Sequence, residues 1–311
     1  MNKPPLASPL VQADRDGVLV LGASGLIGAA LLRQLHTAGV HIHAASRSAQ
    51  PAPELAGLAT WRLGPDFDLY ANPQAAAAGW PACATVLSAG PLDALAAWLE
   101  RDGAPALRRL VAIGSTSVAT KQDSPEAGER VLARTLQHAE QRIIAHCRRH
   151  GIAWTILRPT LVWGEGRDRN LTLIAAMARR RRWLAVPGFA TGCRQPIRNT
   201  EVARAMILAW RQPAANGHCL DLPGGQILTY LEMVRRLVAV AAPDCRVITL
   251  PASASRLALS AARRLRLLDG ARAAIIERMA QDLQFDGGPA QRLLGFVAAG
   301  FQPVAGDFPP T

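Results

Sequence analysis

Between Gly17 and Pro159 the apolar residues follow two alternating patterns. Short runs at Gly17–Ala23, Val40–Ala45, Thr60–Leu63, Thr85–Ser88, Leu107–Ile113 and Ala153–Leu157 read as buried strands. Between them, Leu26–Leu35, Asp93–Arg101 and Pro125–His150 carry apolar residues at helical spacing. The long third helix is expected to have Ser124 as N-cap, Pro125 at its first position and Gly151 at its stop. Strands alternating with helices predict right-handed βαβ units and an α/β fold on a parallel sheet.

After Pro159 the rhythm changes. Gly164–Asn170 (GEGRDRN) is a polar loop and Pro187–Pro196 is irregular. Helices are expected over Leu171–Trp183, Val202–Trp210 and Leu228–Val240, with a strand at Cys219–Leu222. The chain therefore divides into a loose tail (1–16), a sheet domain (17–163) and a smaller mixed α/β domain (164–311) that covers the carboxyl edge of the sheet and returns some segments to it.

The first strand runs into Gly22-Ala23-Ser24-Gly25-Leu26-Ile27-Gly28. Glycines spaced three apart, after a strand and at the mouth of a helix, are the turn that holds a dinucleotide pyrophosphate. The first lets the chain turn sharply, the second lets backbone N–H groups approach the phosphates, and the third lets helix and sheet pack closely. The positive end of the helix then faces the negative charge. This predicts a doubly wound Rossmann sheet of order 3-2-1-4-5-6. The end of the second strand selects the cofactor, because a carboxylate there would bind the ribose 2′-OH of NAD. Here Ser46-Arg47-Ser48 offers a guanidinium and two hydroxyls, which suit a 2′-phosphate, so NADP(H) is preferred with NAD(H) as the alternative.

Composition narrows this little. The net charge is +12, carried by arginine except for Lys3 and Lys121. That balance fits an anionic small molecule. The arginines are not interleaved with aromatics, so no nucleic-acid partner is expected. Arg256–Leu268 is basic and amphipathic. It reads as packing its leucines into the smaller domain, with contact to an anionic membrane surface as the alternative. The five cysteines lie far apart, which argues for reduced thiols and no metal site. The N-terminus lacks an apolar signal segment, and a cytoplasmic protein is expected.

The glycine turn, Ser88-Ala89-Gly90, Gly114-Ser115-Thr116-Ser117 and Leu157-Arg158-Pro159-Thr160-Leu161-Val162-Trp163-Gly164 together resemble the extended short-chain dehydrogenase/reductase family, in particular its NAD-dependent epimerase/dehydratase branch. The resemblance runs from about Gly17 to Gly225. It implies that Thr116 or Ser117 bonds the reacting oxygen, that Ser88, Ala89 and Gly90 lie beside the cofactor ribose, and that Pro159 sits near the nicotinamide. It further implies a nucleotide-sugar or other small carbonyl substrate, with Arg167, Asn170 and Arg194 facing it.

One departure bears on the chemistry. The family's general acid–base is a tyrosine four residues before a lysine, which share one helix face so that the ammonium lowers the phenol pKa. Ala139-Glu140 sets the register in this chain and puts Leu132 and Leu136 at those positions. The tyrosines are Tyr70 and Tyr230, both far away in sequence. Three readings stay open: Lys121 acts as proton donor, protonation is assisted by the substrate, or the chain binds NADP(H) without turnover as a regulatory or assembly protein.

Overall fold

The computed structural model describes residues 17–64, 67, 80–102, 106–168, 170–264 and 275–309. The N-terminal tail, Tyr70 and the end of the basic segment at 265–268 lie outside them.

Seven strands form one sheet: β1 (Val18–Leu21), β2 (Ile42–Ser46), β3 (Thr60–Leu63), β4 (Thr85–Ser88), β5 (Arg109–Ile113), β6 (Ala153–Pro159) and, much later, β11 (His218–Leu222). Their order is 3-2-1-4-5-6-11, and every pairing is parallel. The doubly wound arrangement is therefore present, with one more strand added beside β6. Cys219–Leu222 pairs there in register with Ile156–Pro159.

The alternation of side chains builds two cores. Val18 and Val20 of β1 enter one, and Leu19 and Leu21 enter the other. On the first face α1 (Leu26–Thr37) packs against α5 (Asn199–Arg211). On the second α2 (Leu92–Asp102) packs against α3 (Ala127–His150). The start of α3 differs from expectation, at Ala127 rather than Pro125. Ser124 does not cap it; the Glu126 carboxylate accepts from the Glu129 N–H at 2.6 Å and takes that place. Ser124 instead accepts from the Glu126 N–H at 3.2 Å. Gly151 does end α3, in the left-handed region at φ 64°.

The later elements are β7 (Val162–Trp163), α4 (Leu171–Arg179), β8 (Trp183–Pro187), β9 (Cys193–Arg194), β10 (Ile197–Arg198), β12 (Leu228–Thr229), α6 (Tyr230–Ala241), β13 (Arg246–Leu250), α7 (Ala252–Arg264) and α8 (Gly288–Leu294). Two smaller cores form here, one around Trp163, Phe301 and Phe308, the other around Val186, Val234 and Val238. The helix at Leu171 is shorter than its pattern predicts. It stops at Arg179, because Trp183 opens a strand that pairs in parallel with Arg246–Leu250. Among the described residues no helix is long and apolar enough to cross a membrane.

Candidate functional site

The glycine turn is closed by its own backbone. The Gly25 N–H donates to the Gly22 carbonyl at 3.0 Å, and the Ala29 N–H to the Gly25 carbonyl at 2.9 Å. Gly22 has φ 69°, and a Cβ there would lie 2.6 Å from the Gly90 nitrogen, so the turn and the end of β4 touch backbone to backbone. Gly28 lies directly over the turn, where a Cβ would stand 2.8 Å from the Ala23 Cα. Gly25 is the N-cap of α1, and no side chain caps it. The first N–H groups of α1 are thus left for an outside acceptor.

A cleft opens at this point. It is lined by Gly22, Ser24, Gly25 and Arg47, with Ala89, Gly90 and Phe67 opposite. Ser46 is buried, and its hydroxyl lies 3.0 Å from that of Ser24 and accepts from the Ser48 N–H at 3.2 Å. Ser46 therefore ties the end of β2 to the glycine turn, while Arg47 and Ser48 are exposed at the rim. The uncapped helix mouth and the glycine cradle fit a dinucleotide pyrophosphate, and the rim at Ser46–Ser48 carries no carboxylate. Ser88 is different: its hydroxyl is buried and has no partner among the described residues, so only the following backbone reaches the cleft.

The residues expected to do chemistry are held more tightly than the sequence implies. Thr116 is buried, and both its N–H and its hydroxyl donate to the Pro159 carbonyl, at 3.3 and 3.2 Å. Pro159 thus positions Thr116. Ser115 accepts from the Ser117 N–H at 3.1 Å, which shapes the turn. The Lys121 ammonium lies 3.1 Å from Glu129, whose other oxygen accepts from Ser124 at 2.7 Å and pairs with Arg278. Leu132 is 42% exposed, and Leu136 packs partly against the core beneath α2 and α3. Tyr230 is packed under the Arg194 guanidinium, 5.5 Å from its ring centre, and burial raises its pKa. Among the described residues no tyrosine lies on α3 itself.

Burial opposes the charge on Glu129. Hydrogen bonds from Ser124 and Lys121, with the charges of Lys121 and Arg278, outweigh it and hold the carboxyl below the ordinary glutamate range. A depressed folded-state pKa stabilises above the unfolded value of about 4.3 and is lost as pH falls through the folded value. Glu129→Gln should therefore lower stability by about 1–2 kcal/mol near neutral pH. In urea titrations the difference from wild type should shrink steadily below pH 4; a constant difference would show that the charge is not what matters.

The residues expected to face a substrate separate. Arg194 is only 6% exposed. Its guanidinium donates to the carbonyls of Cys193 at 2.8 Å, Gln281 at 2.6 Å and Arg278 at 2.6 Å, so it closes the 278–281 turn rather than a ligand site. Asn170 is exposed at the start of α4. Arg167 reaches the other way, donating to the Ser24 carbonyl of the glycine turn at 2.6 Å. Asp168 caps α4, accepting from the N–H groups of Leu171 at 2.6 Å and Thr172 at 3.2 Å. An aspartate three residues ahead of an apolar run is the signal in the sequence that marks this cap. The expected absence of a metal site stays an expectation; no cluster of three potential ligands occurs among the described residues.

Residues 22–175 match a family model described as NAD(P)H-binding. That stretch is therefore similar to NAD(P)H-binding domains. The same domain architecture appears in MoeE5 in complex with UDP-glucuronic acid and NAD, at 19% identity and a TM-score of 0.65 over 94% of this chain and 96% of that one. UDP-glucuronic acid 4-epimerase from Bacillus cereus in complex with NAD gives 15% identity and 0.64, over 94% and 95%. An epimerase from Methanothermobacter thermautotrophicus gives 15% and 0.69, over 97% and 94%. At these identities the likeness speaks for the fold. A search of curated proteins returned no match.

Proposed function

We propose that the NAD(P)H-binding domain takes NADP(H) and serves an oxidoreductase or epimerase-like reaction on a small anionic carbonyl or nucleotide-sugar substrate. The observation that carries the cofactor choice is the rim of the cleft. Ser46 is turned inward to Ser24, Arg47 lines the opening, and no carboxylate ends β2. A 2′-phosphate is a dianion that a guanidinium can bind with two hydrogen bonds. When bound, the cofactor supplies hydride chemistry. The chain's own part is to clasp its phosphates, orient it across β1 and β4, and present the Ser115–Ser117 turn beyond β5. The substrate class is supported by the nucleotide sugars named with two of the structural relatives.

A second reading, NADP(H) binding without turnover in a regulatory or assembly protein, is favoured by a specific observation. Leu132 and Leu136 stand where the proton-transfer pair would be, and Lys121 is held by Glu129. A panel of carbonyls and nucleotide sugars distinguishes the two: NADPH oxidation supports the enzyme, while micromolar NADPH binding with no oxidation supports the second reading.

The cofactor choice has its own test. Arg47→Asp should weaken NADPH binding by about 10- to 100-fold and leave NADH binding equal or tighter, the size expected for a charge-assisted contact replaced by repulsion. Unchanged NADPH affinity by calorimetry would remove Arg47 from the site.

A further inference from the structure

The loop after β7 folds back across the glycine turn in an unusual conformation. Gly164, Glu165 and Gly166 have φ of 133°, 54° and 61°, and Glu165 is the one non-glycine residue with positive φ among the described residues. Such a conformation costs free energy and persists where its surroundings hold it. The Glu165 carboxylate accepts from Arg33 of α1 at 2.8 Å and from the amide of Asn199, at the start of α5, at 3.0 Å. Asn199 is 1% exposed and also donates to the Leu26 carbonyl at 3.1 Å. The Gly166 N–H donates to the Asp307 carbonyl at 2.6 Å, and a Cβ on Gly166 would meet Pro309 at 2.6 Å.

Pinned on three sides, the loop aims two charged residues in opposite directions. Arg167 donates to the Ser24 carbonyl, inside the phosphate-binding turn. Its neighbour Asp168 gathers the first N–H groups of α4. A guanidinium has five N–H donors in a planar fork, so one contact to a carbonyl leaves others for an anion at the same place.

We propose that Gly164–Asp168 is a clasp over the cofactor phosphates. Arg167 contributes a guanidinium to the pyrophosphate, and Asp168 couples its seating to α4. This rests on the dinucleotide reading of the cleft and extends it, since it moves Arg167 from the substrate side to the cofactor side. Arg167 is a binding residue here, and Asp168 a positioning residue. The strained backbone at Glu165 serves this arrangement by reversing the chain between β7 and α4 so that consecutive side chains reach the turn and the helix.

The test uses the full chain and two ligands without a nicotinamide ring. One is 2′-phospho-ADP-ribose, which has the pyrophosphate; the other is 2′-AMP, which lacks it. Calorimetry should show Arg167→Ala weakening 2′-phospho-ADP-ribose and NADPH by about 10- to 100-fold, as for loss of a charge-assisted hydrogen bond. Binding of 2′-AMP should be unchanged, and Arg167→Lys should recover part of the loss. Hydrogen exchange should show ligand-induced protection of the 171–175 amides in wild type but not in Arg167→Ala. Equal affinities in wild type and Arg167→Ala would overturn the clasp, as would a loss that extends equally to 2′-AMP. If wild type itself bound no pyridine dinucleotide, the cofactor reading would fail first, and the two failures are thereby separate. A thermal scan of each variant identifies misfolding, and Arg167→Lys, which keeps the charge, gives an independent reading where Arg167→Ala does not fold.

Discussion

Gly28→Ala should lose dinucleotide binding by at least about a hundredfold and lower stability by about 3 kcal/mol. Elsewhere in a helix the exchange of glycine for alanine is stabilising by about 1 kcal/mol, so the expected sign here is reversed by packing. The added methyl would fall well inside contact distance of the Gly22 carbonyl oxygen and 2.8 Å from the Ala23 Cα. Those neighbours are backbone and have no rotamer to change. Relief requires α1 to slide off the turn, which breaks the Ala29-to-Gly25 hydrogen bond and turns the first N–H groups of α1 from the phosphate position. Losing two charge-assisted hydrogen bonds at about 1.5–3 kcal/mol each accounts for the affinity change. Gly25→Ala is the informative contrast. Gly25 has φ −73° and ψ 172°, an extended conformation open to any residue, and its Cβ would meet the Gly22 oxygen at 3.1 Å. It should cost less stability. Chemical denaturation and NADPH titration check both variants; a Gly28→Ala protein with native affinity would mean that α1 does not deliver the phosphate contacts.

The parts of this protein that sequence made legible are those governed by local rules. Six strands and three of the helices between them follow from runs such as VLVL at Val18–Leu21, and the glycine spacing locates the turn because each glycine answers a short-range steric demand. What was illegible depends on contacts between distant residues. β13 could be told from the surrounding helical pattern only through its partner β8, some sixty positions earlier. Arg167 and Ser24 are 143 positions apart, and nothing in GEGRDRN says which way its arginine points. Arg194 shows the opposite outcome. A lone arginine in an irregular stretch reads as available to an anion, yet a distant turn supplies two carbonyls, and the adjacent Cys193 a third, that satisfy and bury it. The missing tyrosine–lysine pair is an intermediate case. Its absence is plain in the sequence, but that Lys121 is already paired with Glu129 and Arg278 flanks the same carboxylate is visible only in the fold.

Glu140 illustrates how a residue used only as a register mark acquires a physical role, and Glu140→Ala carries the second large expected effect. Its carboxylate is buried and grips the Arg158 guanidinium with two hydrogen bonds, one of them from Nε at 2.8 Å. That hydrogen bonding, more than the bare charge, raises the Arg158 pKa against the opposing effect of burial. Breaking a fully buried pair costs about 3–5 kcal/mol. Here Arg158 is 26% exposed and faces Asp221 across the β6–β11 register, so its abandoned charge is partly compensated. About 2–3 kcal/mol is the expected loss. Arg158→Met should be worse near neutral pH, because it strands the more deeply buried partner. The double variant should recover part of the sum, since a buried pair replaced as a whole leaves no lone charge. Glu140 also lies beside Gly114, whose hypothetical Cβ would meet its Oε1 at 3.1 Å. The pair therefore supports the backbone that enters Ser115–Ser117, and the stability loss should be accompanied by altered amide exchange in that turn. Additive losses in the double variant would show that the two side chains stabilise the fold independently.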